Sequence, residues 1–395
     1  MSVEDRRAPF LAVHAIPIER PQRGCSEASA LMGAAAATYP ERTLMNSPAS
    51  TFFVPAIALL CSAALAQGSA SVVNGTLRID AGPGSVQVKV TVDQRGAAQV
   101  FDVPGLPSPI DFVGVRAIDY RSGPGSDQLQ FEVVTDRSFP ITIANASGET
   151  ILDQKYRVLP TSARVDLTTI VQSTQGNDLL QYEAVTFGQN VGVNFVALTG
   201  EGETDFFAKV DSPNRSQRLD MVFGALTGSG TDNLVLDCVS NAAIPTLQAV
   251  GFTGGGSDRF DVFMDQKVRA DVLVGLFGDL GLGTDLADVR LYGSLANYLH
   301  YGDLIGGADD DELKLFVDTS LITLGNFDGD FGNDTVRMLV TRNLDGFPRL
   351  AGSEGDDVLE LAVSGRRGGT PTLDGGPGFD IGSGYGRFLS VERIN

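Results

Sequence analysis

Short alternations of apolar and polar residues recur along this chain, and each one follows a glycine-x-aspartate turn. Leu129, Phe131 and Val133 come two, four and six places after Asp127. Phe260, Val262 and Met264 follow Asp258 in the same way, as do Leu313, Leu315 and Val317 after Asp311, and Leu359, Leu361 and Val363 after Asp357. Polar residues such as Gln128, Gln130, Arg259, Asp261, Glu312 and Lys314 sit between them. A period of two predicts a strand with one face buried and the other in solvent. No long stretch beyond residue 66 carries a 3.6-residue apolar stripe, and glycine is too frequent for helices, so an all-β chain is expected.

The aspartate that opens each alternation defines a slot. Slots fall at Asp127, Asp178, Asp232, Asp258, Asp285, Asp311, Asp334, Asp357 and Asp380, with degenerate copies at Val86 and Thr204. Two places before the slot stands Gly in every copy except that of Asp311, where Asp309 replaces it. Subtracting successive positions from 178 to 380, Thr204 included, gives steps of 26, 28, 26, 27, 26, 23, 23 and 23 residues. The gap from Asp127 to Asp178 is 51, about two steps, which predicts one coil that has lost its signature. A repeat of this length marks a solenoid, because a lone strand cannot bury its face and stacked ones can. The expected fold is a single parallel β-helix of 23–28 residues per coil, right-handed by the usual rule for parallel crossovers. Glycine suits its corners, where positive φ is needed. The slot carboxylate can hold the turn by accepting backbone N–H groups.

Segment Thr51–Ala66 is apolar and ends Ala64-Leu65-Ala66, the small-x-small pattern of a secretory cleavage site. It is short for a membrane span. The expected organisation is residues 1–44 as an overextended or disordered start, 45–66 as a signal peptide with Met32 or Met45 as the true start, 67–120 as N-terminal cap and first coils, and 121–395 as the repeat with a C-terminal cap. Pro104, Pro107 and Pro109 cluster in the cap region, and the amphipathic end Phe388–Asn395 is expected to close the stack. Export would place the protein outside the cell or on its surface, with no membrane insertion after cleavage. The predominance of Arg over Lys fits a GC-rich bacterial source.

The formal net charge is −20. Residues 1–66 hold five acids and five bases, so all of that charge belongs to residues 67–395. Such acidity argues against nucleic acid and anionic membranes, and favours cations. Cys25 and Cys61 would leave with the leader, so no disulfide framework is expected, and Cys238 reads as a core thiol. His300 is the lone histidine after the leader, which excludes His-rich zinc sites and disfavours a Ser-His-Asp triad.

Segments such as Gly254-Gly255-Gly256-Ser257-Asp258-Arg259-Phe260 and Gly375-Gly376-Pro377-Gly378-Phe379-Asp380 resemble the repeat-in-toxin, or haemolysin-type, calcium-binding repeat. The resemblance covers about residues 121–386. It implies Ca²⁺ held between coils, with Asp127, Asp178, Asp232, Asp258, Asp285, Asp309, Asp311, Asp334, Asp357 and Asp380 as ligand candidates. The family repeats every nine residues, whereas this chain gives one such turn per 23–28. At most one edge of each coil can therefore be family-like. Asp303 with Asp309, Asp310 and Asp311, then Asp328, Asp330 and Asp334, and then Glu354, Asp356 and Asp357 are the densest acidic groups. Unneutralised carboxylates stacked at about 4.8 Å repel by about 1 kcal/mol each in bulk-like solvent and more where shielded. Calcium or turn N–H donors can answer that repulsion.

Two functional classes are expected from this pattern. One is a secreted or surface β-solenoid with a structural or adhesive role, contacting extracellular polysaccharide or other cell-surface components. The other is a polysaccharide lyase or glycoside hydrolase on a β-helix scaffold, with Asp261, Asp265, Lys267 and Arg269 on one coil as candidates. The repetition favours the first, because conspicuous residues recur along the stack instead of converging.

Overall fold

A computed structural model describes residues 68–215 and 217–394. The proposed leader, its cleavage site, Cys25 and Cys61 lie outside the described residues. Every regular element described is a strand, and none of the described residues forms a helix long and apolar enough to cross a membrane. The strands stack as a β-solenoid in two parallel sheets. One, the slot sheet, contains the strand that follows each slot. The other, the return sheet, carries the chain back.

Each wide coil has two long strands. Arg259–Gln266 lies in the slot sheet and Asp271–Asp279 in the return sheet. The slot strand pairs in parallel with its counterparts one coil before and after: Phe260 faces Leu234 on one side and Ala287 on the other. The alternating pattern drives this register, because a slip of one residue would turn the apolar set outward. Leu234, Leu236 and Cys238 are buried, and so are Phe260, Val262 and Met264. Inward residues of both sheets meet in one core, where Phe195 of the return sheet stacks on Phe206 of the slot sheet with centroids 4.6 Å apart.

The missing coil is present. Asp127–Thr135 pairs with Thr150–Val158, whose slot is Thr150, and Gly148 two places earlier has φ 112°. The glycine was kept and the acid lost, as at Thr204.

Beyond Asp285 the return side narrows, and beyond Asp311 the coil also shortens from 26 to 23 residues. The return strand breaks into a short piece and a longer one, as in Ser320–Thr323 and Asn326–Phe331. The short pieces Asn297–Tyr301, Ser320–Thr323 and Leu344–Gly346 pair with one another and make a narrow third side.

Antiparallel pairing appears only near the start of the described chain. Ser69–Val73 pairs with Thr76–Asp80, and Val86–Val92 is followed by Ala98–Phe101 and Ile110–Phe112. At the other end Phe388 and Val391 pack over Gly382, and Arg393–Ile394 forms the last pairing of the slot sheet.

Candidate functional site

The slot is the first inward position of its strand, in phase with the apolar residues two, four and six places on. Asp127, Asp178, Asp232, Asp258, Asp285, Asp311, Asp334, Asp357 and Asp380 are accordingly all buried, at most 3% exposed. The column is real and in register, and it faces the core.

From Asp178 on, each carboxylate is tied to the coil before it. Asp258 Oδ1 accepts the backbone N–H of Asp232 at 2.8 Å, Asp285 Oδ1 that of Asp258 at 2.6 Å, and Asp311 Oδ1 that of Asp285 at 2.8 Å. The series continues with Asp334, Asp357 and Asp380 accepting from Asp311, Asp334 and Asp357. Glu392 ends it by accepting the N–H of Asp380 through Oε2 at 2.8 Å. The two threonine slots act as an internal control. Facing Thr150 and Thr204, the N–H groups of Asp127 and Asp178 donate to the peptide carbonyls of Glu149 and Glu203 instead. Thr150 and Thr204 themselves donate to the next aspartates, Asp178 and Asp232. A hydrogen bond to a charged partner is worth about 1.5–3 kcal/mol, so the ladder adds a side-chain link beside the backbone bonds that the corner glycines already make from coil to coil, such as Gly230 N–H to the Gly255 carbonyl.

The second oxygen has no such partner. Oδ2 is buried and unpaired in every slot aspartate from Asp178 to Asp380, and in Asp127 both oxygens are. Desolvation, with smaller contributions from like charges, pushes Asp311 up to about 8 and Asp285 and Asp357 up to about 7. Asp178, Asp232 and Asp334 rise to about 6, chiefly by desolvation. Asp127, Asp258 and Asp380 move the same way.

Calcium takes six to eight oxygens at 2.3–2.6 Å. Facing the core, the column supplies one unpartnered carboxylate oxygen per coil. In the narrow coils that oxygen lies against a glycine backbone, where a Cβ on Gly329 would come within 2.1 Å of Asp334 Oδ2. Among the described residues, no three His, Cys, Asp or Glu side chains gather as an ion-holding set. The inward residues therefore do not fit a calcium shell.

Asp309, the remaining ligand candidate, is not in the column. It occupies the corner where other coils have glycine, with φ 85°. Its neighbour Asp310 belongs to a second ladder that sequence reasoning missed. One place before the slot, Asp310, Asn333 and Asp356 each accept, through Oδ1, the N–H of the equivalent residue one coil later, at 2.8–3.0 Å. Asn177 does the same for Glu203 at 3.1 Å. This outer ladder points opposite to the buried one, so the turns from Asp311 to Asp380 are clasped from both directions. Asn or Asp recurring at that place was the available signal.

Asp261 and Asp265 share the outer face of one strand, on either side of Phe263, and are paired with Arg259 and Lys267. Arg269 is exposed in the turn that follows. His300 is wholly buried, holds Thr323 Oγ1 through Nδ1 at 2.9 Å, and is depressed to about 4 by desolvation. It cannot meet a substrate. Cys238 is buried with its thiol pushed up to about 12 by desolvation.

Comparison with protein-family models, with curated proteins and with solved structures finds no match to this chain.

Proposed function

We infer that this protein is an exported, surface-located bacterial β-solenoid whose role is structural or adhesive. One observation carries this: the recurrent aspartates, the residues that most resemble chemistry, spend one oxygen each on fastening successive coils. Acids distributed evenly along a wall build length and stiffness. A hydrolase instead needs two carboxyl groups converging at about 5–9.5 Å across a groove. Export rests on the apolar run Thr51–Ala66 and its small-x-small ending.

Calcium binding is the rival reading of the column, and one experiment separates the two. Thermal unfolding is followed with millimolar Ca²⁺ or with EDTA, on the native chain and on Asp311→Asn. Bracing predicts equal melting curves in both solutions and an Asp311→Asn chain that keeps its fold, because the amide oxygen still accepts the Asp285 N–H. Calcium loading predicts a rise of several degrees with the ion, lost in the variant. The enzymatic alternative is tested by screening acidic and neutral polysaccharides for new reducing ends or unsaturated products. Activity abolished by Asp261→Asn or Asp265→Asn, and untouched by the same change one coil away, would replace the structural reading.

A further inference from the structure

The narrow third side of the C-terminal coils carries a groove of about 500 Å3 that runs along the stack from Asp271 to Arg366. Its composition differs from the rest of the surface. One wall is a row of single polar groups, one per coil: Asp271 beside Asn297, Asn297 beside Ser320, then Asn343 and Arg366. The floor is aliphatic, with Leu299 beside Ile322, 40% and 46% exposed. Outside the groove lining, Leu324 and Phe347 directly follow the short strands Ser320–Thr323 and Leu344–Gly346 and are 64% and 67% exposed.

We propose that this groove binds a neutral polysaccharide chain lengthwise, about one sugar residue per coil, without cutting it. The proposal rests on the non-catalytic reading above and deepens it. A pyranose offers an aliphatic C–H face and an edge of hydroxyls that both donate and accept. Aliphatic floor and amide-hydroxyl wall match those two surfaces, and Asn and Ser can serve either hydrogen-bonding role. The coil repeat of about 4.8 Å is close to the length of one sugar in an extended chain, so each bound residue would meet one polar group of the wall. Charge selects among glycans. The groove itself holds Asp271 and Asp345 against Arg366, near neutrality, within a protein of net charge −20 that repels polyanions. The same charge disfavours nucleic acid. A peptide added as an extra strand would need a free sheet edge, and these residues project from a sheet face.

The geometry also says why the chain would be held rather than cleaved. Asp271 and Asp345, the acids of the groove, are three coils apart, about 14 Å at the usual strand spacing. That exceeds the separation glycoside hydrolysis employs. Asp271 Oδ1 is further engaged by the Asn297 amide at 2.9 Å.

The test is affinity electrophoresis of the full chain in gels containing hydroxyethylcellulose, arabinoxylan, galactomannan or polygalacturonate. Retardation by at least one neutral polymer is expected, and none by polygalacturonate. The double variant Asn297→Ala, Asn343→Ala gives up two links between coils, Asn297 Nδ2 to Asp271 and Arg366 N–H to Asn343 Oδ1, so it should melt lower than the native chain while staying folded, and lose at least about tenfold in affinity, about 1.4 kcal/mol. Ile322→Ser, in the floor, provides a second, independent variant with the same loss of affinity expected and the native melting temperature kept. Hexasaccharides of the retarding polymer should outcompete its disaccharide. No retardation by any neutral polymer, or retardation that both variants leave unchanged, overturns the proposal while leaving the structural role intact. Newly formed reducing ends in the gel polymer would overturn both readings. Sedimentation adds a further decision: a dimer dissociated by Leu324→Asp would assign this side of the stack to a second copy of the chain and overturn the glycan site.

Discussion

In the wide coils the residue five places before the slot is Asn145, Ser173, Thr199, Thr227 or Thr253; in the narrow coils it is Gly306, Gly329, Gly352 or Gly375. The first group brings a polar side chain against the slot. Asn145 Nδ2 donates to Thr150 Oγ1 at 3.1 Å, Thr199 and Thr204 share a hydroxyl contact at 2.9 Å, and Ser173, Thr227 and Thr253 act to lower the pKa of Asp178, Asp232 and Asp258. The second group brings only backbone, and a Cβ there would stand 2.0–2.4 Å from the slot Oδ2. The carboxylate has thus taken over the volume that a hydroxyl side chain fills elsewhere. The polar side chain is lost before the coils shorten, at Leu280 and Gly306 in coils of 27 and 26 residues, and the highest pKa values, about 7 to 8 at Asp285, Asp311 and Asp357, fall where Leu280 or glycine stands, while Asp334 behind Gly329 reaches about 6.

The largest effect should fall on what both halves share. Two places before the slot, a Cβ would lie 2.3 Å from the Gly202 carbonyl at Gly230 and 1.6 Å from the Gly332 carbonyl at Gly355, both at positive φ. Gly230→Ala and Gly355→Ala should each cost more than about 4 kcal/mol or prevent folding, measured by denaturant unfolding. A mild effect at either would mean the corner glycines are not what limits coil approach. The position five before the slot should then separate the halves. Gly329→Ala is expected to cost about 3 kcal/mol through overpacking against Asp334, whereas Thr253→Ala should cost about 1 kcal/mol for a lost hydroxyl contact. Equal costs would erase the distinction.

A third test uses pH. An unfolded aspartate titrates near 3.9, and the folded column titrates higher, to about 8 at Asp311. Between those values the folded state holds more protons than the unfolded one, so stability falls as pH rises. The pH dependence fades below about pH 3, where both states are protonated. Melting temperature should therefore decline from about pH 5 to about pH 8.5, and hydrogen exchange should show the narrow coils loosening more than the wide ones. A melting temperature that climbs over this window would contradict the buried, half-paired carboxylates. The smallest change belongs to the lone slot corner without glycine: Asp309 holds φ 85°, and Asp309→Gly should gain about 1 kcal/mol by removing left-handed strain.

Much of this was legible in the letters. Slot spacing gave the coil length, and the alternation gave the wall; even the coil with no acid was implied by the 51-residue gap that Thr150 fills. The inward direction of the slot was also there to be read, since Asp258 shares parity with Phe260, Val262 and Met264. The partners were harder. Which N–H meets Oδ1 depends on the stagger between coils, a long-range quantity with no local signature. The glycine five places before Asp334 looked like one more corner residue, because nothing in the sequence says that a carboxylate would occupy its missing side chain. The narrow third side was equally hidden: a strand of nine residues and one broken in two have similar composition.

The buried ladder has a direction, since each turn borrows its acceptor from the turn that comes next, and Glu392 supplies the final one from outside the repeat. Such an arrangement tolerates growth in its middle. A duplication of 23 residues anywhere between Asp311 and Asp380 would lend and receive one acceptor and leave the Glu392 clasp untouched. The molecule's length is therefore adjustable in whole windings, by a route that preserves the closure at Asp380.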